Sequence, residues 1–250
     1  MFETDFENKS FGGDVQHIQK ALEEKKKFAF SKYADGELHI LAEKPINNGE
    51  FWYVPEQHKK NRQAMIDSFT YRAEGYNVGI SCPCCIGGSA VHNWMKKQCG
   101  QPADRLTWAN IFVNGNYKYY LENLVPLYKE YEVYLVSNSR SNLEKLPFDI
   151  SKHYQIGKNC WVENFDMVEI IKSDITKNNI KDSLFLFCAG PFGNILSHQL
   201  FEHSQDNTYI DIGSTLNPFL LGDEGARTRG YLRGESSLNK ACVWEADKLE

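Results

Sequence analysis

Four short segments of this 250-residue chain carry residues whose types and spacing could do chemistry. In the first segment, Asp35 and Glu37 stand on either side of Gly36. Two carboxylates at this spacing can direct oxygen ligands to one hard cation, and such a cation bridges readily to a diphosphate. The glycine between them would let the backbone come close to a ligand. An Asp-Gly turn followed by a solvated Glu that caps the next helix is the other interpretation, and the spacing alone leaves both open.

The second segment, residues 188–194, follows the most apolar strand candidate and begins a predicted helix. Its turn-forming residues are Gly190, Pro191, Gly193 and Asn194. They leave backbone N–H groups available at a helix N-terminus, which is a favourable place for a phosphate group. The segment lacks the glycine spacing of a dinucleotide-binding loop and of a P-loop, so a plain strand-to-helix turn is equally compatible with it.

The third segment has Asp211 and Gly213 at the carboxyl end of another predicted strand, where the carboxylate would point into the same crevice. Capping of the next helix by Asp211 is the alternative. The fourth segment is a glycine-rich loop, residues 222–234, which contains Arg227 and Arg229. Arginines suit phosphate oxygens and such a loop can close over a ligand, although a solvated loop is equally compatible with the sequence.

A cluster of cysteines in residues 82–85 is a further candidate for chemistry. Cys82 and Cys85 have the C-x-x-C spacing of redox sites, whereas a structural zinc ion usually needs a second pair, and the other cysteines are scattered. We therefore expect the cluster to be structural. The seven histidines form no H-x-x-x-H pair and no G-x-S-x-G motif occurs, which argues against metalloproteases and serine hydrolases.

These segments need a scaffold that brings the ends of several strands together. Helical and strand patterns alternate along the chain, which predicts a Rossmann-like α/β fold, a mostly parallel sheet with helices on both faces. The predicted helices cover residues 14–27, 55–75, 117–131 and 192–203, and the predicted strands cover residues 28–31, 76–80, 132–137, 183–188 and 208–212. No linker or repeat divides the sequence, so residues 1–250 are predicted to form a single domain that ends in a loop and tail, residues 222–250.

Composition and charge exclude several classes of protein. The chain has 28 Lys and Arg against 33 Asp and Glu, and the net charge of −5 argues against general binding to nucleic acid or anionic lipid. Its longest apolar runs are only strand-sized, so no transmembrane segment is expected. The acidic, polar first ten residues are not typical of a signal peptide, and an odd number of cysteines fits a reducing compartment. We therefore expect a cytoplasmic protein.

Taken together, the motifs resemble those of the GT-D-type glycosyltransferases, a family first described as a bacterial domain of unknown function. In that family a strand leads into an Arg-Phe-Gly-Asp-Gly-Glu-like motif, and residues 32–38, KYADGEL, match its Asp-Gly-Glu core. Residues 76–80, YNVGI, resemble the next strand, and residues 189–191 with Leu196 resemble a Gly-Pro turn and its helix. Residues 209–213, YIDIG, resemble the Asp-x-Gly strand.

The sequence also departs from that family pattern. Lys32 and Ala34 stand where Arg and Gly are common, which keeps the positive charge but changes how closely a ligand can approach. Ser214 stands where many members have His after the Asp-Ile-Gly, so no imidazole role carries over. The cysteine cluster and the arginine loop lie outside the pattern.

The resemblance implies a metal-dependent glycosyltransferase that moves a sugar from a nucleotide diphosphate sugar to a glycan or other hydroxyl acceptor. Asp35 and Glu37 would hold Mn²⁺ or Mg²⁺ beside the departing diphosphate, and Asp211 is the candidate general base. Tyr33 would pack against the donor's base or sugar. The predicted donor-binding set is Lys32, Tyr33, Gly36, Gly190, Pro191, Gly193, Asn194, Gly213, Arg227 and Arg229. The alternatives are a non-catalytic nucleotide-sugar-binding module and a cysteine-based redox or zinc protein.

Overall fold

Seven parallel strands form the centre of the structure, a computed structural model that describes residue 2, residues 11–83 and residues 88–222. The strands of this sheet are β1 (Ala29–Tyr33), β4 (Tyr76–Ile80), β5 (Leu106–Trp108), β6 (Val133–Asn138), β7 (Lys152–Ile156), β8 (Leu184–Phe187) and β9 (Thr208–Asp211). Their order is β5-β4-β1-β9-β8-β6-β7, and neighbouring strands are parallel throughout. A separate antiparallel pair joins β2 (Ile46–Asn47) to β3 (Trp52–Tyr53).

The helices lie between the strands in sequence. They are α1 (Phe11–Glu23), α2 (Asp35–Leu41), α3 (Lys59–Thr70), α4 (Gly88–Cys99), α5 (Tyr117–Tyr119), α6 (Cys160–Glu163), α7 (Met167–Lys177), α8 (Pro191–His203) and α9 (Asn217–Leu220). Among the described residues, no helix is both long enough and apolar enough to cross a membrane.

Apolar side chains leave the sheet on both faces because successive residues of a strand point in opposite directions. In β8, Phe185 and Phe187 join one core cluster while Leu184 and Leu186 join the other. The first cluster packs under α2, α3, α4, α7 and α8, and the second packs under α1, α9 and the segment around α5. The prediction of a parallel α/β sheet with helices on both faces is therefore confirmed.

Several predicted elements have different bounds in the structure. The predicted helix over residues 117–131 divides into α5, a π-helical turn (Tyr120–Leu124) and a 3₁₀ segment (Val125–Glu130) that has Pro126 in its first turn. Proline lacks the N–H that would continue the α-helix, which explains the break. The predicted helix over residues 55–75 is shorter, because the chain turns extended at Tyr71. Strand β1 continues to Tyr33, two residues beyond its predicted end.

Candidate active site

A cavity of about 270 Å³ lies at the carboxyl edge of the sheet. Its walls come from the turns that follow five strands, together with the turn between β2 and β3. Its lining residues are Lys32, Ala34, Asp35, Gly36, Glu37, Asn48, Gly49, Glu50, Phe51, Asn138, Arg140, Ile156, Gly157, Lys158, Cys160, Cys188, Ala189, Gly190, Pro191, Gly213, Ser214, Asn217 and Leu221. This is the position where parallel α/β sheets bind ligands, so the cavity is the candidate active site.

The Asp-Gly-Glu motif forms the first turn of α2 and lines the cavity. Asp35 is exposed, whereas Glu37 is 6% exposed and accepts a 2.9 Å hydrogen bond from the backbone N–H of Ala34. Burial raises the pKa of Glu37, and the positive charge of Lys32 opposes that rise. Glu37 therefore does cap its own helix, as the alternative interpretation held, but it does so from a buried position beside a cation.

Whether this pair can hold a divalent cation depends on its remaining oxygens. One carboxylate oxygen of Glu37 accepts from the N–H of Ala34, and both Asp35 and Glu37 line the cavity. Across the residues that the structure describes, no group of three or more His, Cys, Asp or Glu side chains is arranged to hold a metal. Mg²⁺ in phosphate sites typically uses one or two carboxylates, substrate phosphates and water, so these two residues fit such an ion.

Gly36 allows the β2–β3 turn to close against α2. A Cβ added at Gly36 would lie 2.5 Å from Cζ of Phe51, well inside contact distance. Phe51 lines the cavity and is 7% exposed. The glycine of the motif thus gives room to an aromatic wall of the cavity, which Gly36 itself also lines.

Lys32 lies in the floor of the cavity, held against the turn after β9. A Cβ added at Gly213 would lie 2.5 Å from Cε and 2.7 Å from Nζ of Lys32, and Gly213 has a left-handed φ of +55°. Asp211 lies behind this turn, 1% exposed, and accepts a 3.0 Å hydrogen bond from the Gly213 N–H. Burial raises the pKa of Asp211 to about 7, a rise that Lys32 opposes and Glu37 reinforces.

Asp211 does not line the cavity, because the turn that contains Gly213 covers it. Asp211 was predicted to be the general base, a role that needs contact with the acceptor, and its buried position gives it no such contact in this cavity. Its position instead links it to the Gly213 turn and, through charge, to Lys32.

The start of α8 contributes less free backbone than the sequence suggested. Gly190 and Pro191 line the cavity, and Gly190 has a left-handed φ of +52°. The N–H of Phe192 donates to the Ala189 carbonyl at 3.2 Å, and the N–H of Gly193 donates to the Gly190 carbonyl at 2.9 Å. Two of the first N–H groups of this helix are therefore used within the turn.

Gly193 and Asn194 face the sheet rather than the cavity. A Cβ at Gly193 would lie 3.0 Å from Oδ1 of Asp211, so glycine allows α8 to approach β9 closely. The fully buried Asn194 amide donates to Ser31 Oγ at 3.0 Å and to the Lys32 carbonyl at 2.6 Å. Both residues were predicted to bind the donor, and the structure gives them the task of positioning β1 and β9.

Tyr33 also lies outside the cavity. It is 0% exposed within the core, its ring packs on Phe69, and its hydroxyl donates to Ser68 Oγ at 2.9 Å. Because β1 extends through residue 33, its side chain points to the face opposite that of Lys32. The prediction that Tyr33 packs against the donor's base or sugar is therefore wrong, because its ring is buried in the core. Arg227 and Arg229 lie outside the described residues.

Two cations on the cavity wall were absent from the sequence-based set. Arg140 follows β6 and Lys158 follows β7. The position of Arg140, shortly after a predicted strand, was a usable signal. Lys158 could not be placed, because β7 was not predicted and its residues alternate between exposed and buried.

The cysteines of the cavity are thiols. Cys160 and Cys188 line it, and Cys160 Sγ donates to the Ala189 carbonyl at 3.3 Å. Burial raises the pKa of Cys160 to about 12, which leaves its thiol protonated at neutral pH. Of the cluster in residues 82–85, Cys82 is buried, whereas Cys84 and Cys85 lie outside the described residues.

Comparison with known proteins identifies the fold. No family model matches the sequence, and no curated protein does. Two solved structures of domain of unknown function 1792 are similar over 94% and 93% of this chain and 88% of their own, each with a TM-score of 0.54 and 16% sequence identity. One is a selenomethionine-substituted form, and the other is described as showing that this highly conserved domain has a distinct glycosyltransferase fold. The chain therefore shares that fold, in agreement with the GT-D resemblance of its motifs.

Proposed function

We propose that this protein is a metal-assisted glycosyltransferase, which moves a hexose-type sugar from a nucleoside diphosphate sugar to a glycan or other hydroxyl acceptor. One observation carries the proposal: within a glycosyltransferase fold, a single cavity combines the Asp35–Glu37 pair with the cation of Lys32. Carboxylates and a cation side by side suit a ligand that brings both a metal ion and a diphosphate.

The difficult part of sugar transfer is the negative charge that develops on the departing diphosphate. Lys32 is proposed to bind that diphosphate, since its ammonium group is held over Gly213 at the cavity floor. Asp35 and Glu37 are proposed to hold Mn²⁺ or Mg²⁺, which when bound would supply further positive charge to the phosphate oxygens. Phe51 forms an aromatic wall of the cavity beside Gly36.

Asp211 is proposed to act as a positioning residue. Its carboxylate accepts a hydrogen bond from the turn at Gly213 and interacts electrostatically with Lys32. A pKa near 7 would suit a general base, but a base must reach the acceptor hydroxyl, and Asp211 is buried behind the cavity wall. We therefore assign it to holding Lys32 in place.

Three described cysteines, Cys99, Cys160 and Cys188, are free thiols, which fits a reducing compartment. We accordingly propose that the transfer takes place in the cytoplasm. Neither nucleic acid nor a membrane is needed as a partner in this proposal.

A thermal-shift panel of nucleoside diphosphate sugars, with and without Mn²⁺, tests donor binding, because a ligand that binds the folded state raises its melting temperature. We expect one donor class to raise it, and more so with Mn²⁺. Release of free nucleoside diphosphate with a glycan acceptor then tests transfer. Binding without release would identify a non-catalytic binding module, and no shift with any donor would refute the proposal.

A further inference from the structure

We propose that Arg140 and Lys158 form a second cationic wall of the cavity and bind the phosphate oxygens of the donor's diphosphate. This inference rests on the proposed function for the identity of the ligand. The helix N-terminus that the sequence offered for phosphate has fewer N–H groups available, since those of Phe192 and Gly193 donate to carbonyls of their own turn.

The register of the sheet brings the two cations side by side. Asn138 at the end of β6 pairs with Ile156 at the end of β7. Arg140 and Lys158 each lie two residues beyond that pair, in the turns that follow two adjacent parallel strands. Both side chains are exposed and both line the cavity. Two cations at equivalent positions after adjacent strands suit one ligand that carries two anionic groups.

The turn that carries Arg140 is fixed by hydrogen bonds. Asn138 Oδ1 accepts from the backbone N–H of Arg140 at 3.0 Å and from its Nε at 3.4 Å. The N–H groups of Ser139 and Asn142 donate to the carbonyls of Ile156 and Leu220, at 3.0 and 2.8 Å. Asn138 therefore orients the guanidinium group of Arg140. The other N–H groups of that guanidinium group remain for a ligand. A cation held in place before binding loses less entropy when it binds.

The turn that carries Lys158 is fixed on both sides of the residue. The N–H of Gly157 donates to Asn164 Oδ1 at 3.0 Å, and the N–H of Asn159 donates to the Glu50 carbonyl at 2.8 Å. Asn159 is fully buried, and its Oδ1 accepts from the Trp161 indole at 2.8 Å. The backbone at Lys158 is thus as firmly held as the backbone at Arg140.

Neither cation is used elsewhere in the part of the chain that the structure describes. Among those residues, Arg140 and Lys158 form no ion pair, whereas Lys152, at the other end of β7, pairs with Asp174. Solvated surface cations are common, but two on fixed turns that face one cavity, beside Lys32, are arranged for an anion.

Isothermal titration with inorganic pyrophosphate, and with UDP and GDP, tests the inference at one fixed ionic strength. Arg140→Gln and Lys158→Gln should each raise the dissociation constant for pyrophosphate roughly tenfold to a hundredfold, as expected for a lost charge-assisted contact. Arg140→Lys should recover part of the loss. The matched control is Lys152→Gln, which removes a lysine from the same strand at the opposite edge of the sheet and should leave the constant unchanged.

The outcomes separate this inference from the proposed function. If wild-type protein binds the diphosphates and the doubly substituted Arg140→Gln, Lys158→Gln protein binds them equally well, the inference is wrong and the glycosyltransferase proposal is unaffected. If the variants lose pyrophosphate but wild-type protein consumes no nucleotide sugar, the anion site stands and the proposed function fails. Absence of binding to pyrophosphate, UDP and GDP, with and without Mn²⁺, would overturn both. Melting temperatures of all variants, which carry exposed substitutions, check that each remains folded.

Discussion

Replacing Gly213 by alanine should impair the site while leaving the protein folded, because the new methyl group would take the space of the Lys32 side chain. Its Cβ would lie 2.5 Å from Cε and 2.7 Å from Nζ, so the ammonium group would have to leave the cavity floor. Since a flexible side-chain tip can move away, the collision itself should cost little stability. The left-handed φ of +55° should cost about 1–2 kcal/mol for alanine. For a chain of this length, that corresponds to a fall in melting temperature of roughly 2–8 °C.

Gly88 offers a matched control for this substitution. Its φ is +77°, and a Cβ added there would meet no atom within 4 Å, so Gly88→Ala carries the backbone cost without a displaced cation. Both variants should melt at similarly lowered temperatures. Only Gly213→Ala should weaken pyrophosphate binding, by roughly tenfold to a hundredfold, since a charge-assisted contact is worth about 1.5–3 kcal/mol.

A double-mutant cycle with Lys32→Ala checks the reasoning. If Gly213→Ala acts by moving Lys32, it should have no further effect on affinity in the Lys32→Ala protein. Equal pyrophosphate affinities of the Gly213→Ala and Gly88→Ala proteins, or fully additive losses with Lys32→Ala, would refute the role given to Lys32.

Three further outcomes follow from the site. Asp35→Asn and Glu37→Gln should each remove the strengthening of UDP or GDP binding by Mn²⁺ in titration calorimetry; wild-type metal dependence in both would exclude the pair as ligands. The pKa of Asp211 near 7 lies above its value of about 3.9 in an unfolded chain, so the folded protein holds a proton that the unfolded chain releases between pH 4 and 7. Stability should therefore fall as the pH rises through that range, and Asp211→Asn should remove up to about 4 kcal/mol of this dependence in urea titrations; parallel wild-type and variant profiles would contradict it. Asn194→Ala, which leaves the Lys32 carbonyl without its 2.6 Å partner, should destabilise the protein by about 1–3 kcal/mol, and an unchanged urea midpoint would count against its positioning role.

Much of the sheet could be predicted because its strands are continuous apolar runs. Strand β4 has its predicted bounds, β8 is one residue shorter than predicted at each end, and β9 is one residue shorter at its carboxyl end. Strand β7, KHYQI, was missed because it lies at the edge of the sheet and exposes Lys152 and Gln155. Edge strands keep polar residues on their open side, which removes the apolar run that marks a buried strand.

The site was harder to predict than the fold, because small shifts in an element reverse the direction of a side chain. Two additional residues in β1 send Tyr33 into the core and Lys32 into the cavity. Asp35 and Glu37 lie in the first turn of a helix rather than in the open Asp-Gly turn that the spacing also allowed. The sequence motifs predicted the correct edge of the sheet for the site. Which side chains reach the cavity depends on the exact course of the backbone.

The position of β9 in the sheet has a consequence for how the protein is made. It is the last described strand in the chain, yet it lies between β1 and β8 and joins Phe30 to Ile210 and Phe187 to Asp211 in register. Until β9 leaves the ribosome, β5-β4-β1 and β8-β6-β7 remain two groups of strands with unpaired edges and no shared cavity. Strands as far apart in sequence as β1 and β9 pair slowly. Until they pair, the unpaired strand edges favour aggregation. We therefore expect a nascent chain to need chaperone protection until β9 is inserted. Because the cavity forms only then, ligand binding can be used to detect the insertion of β9.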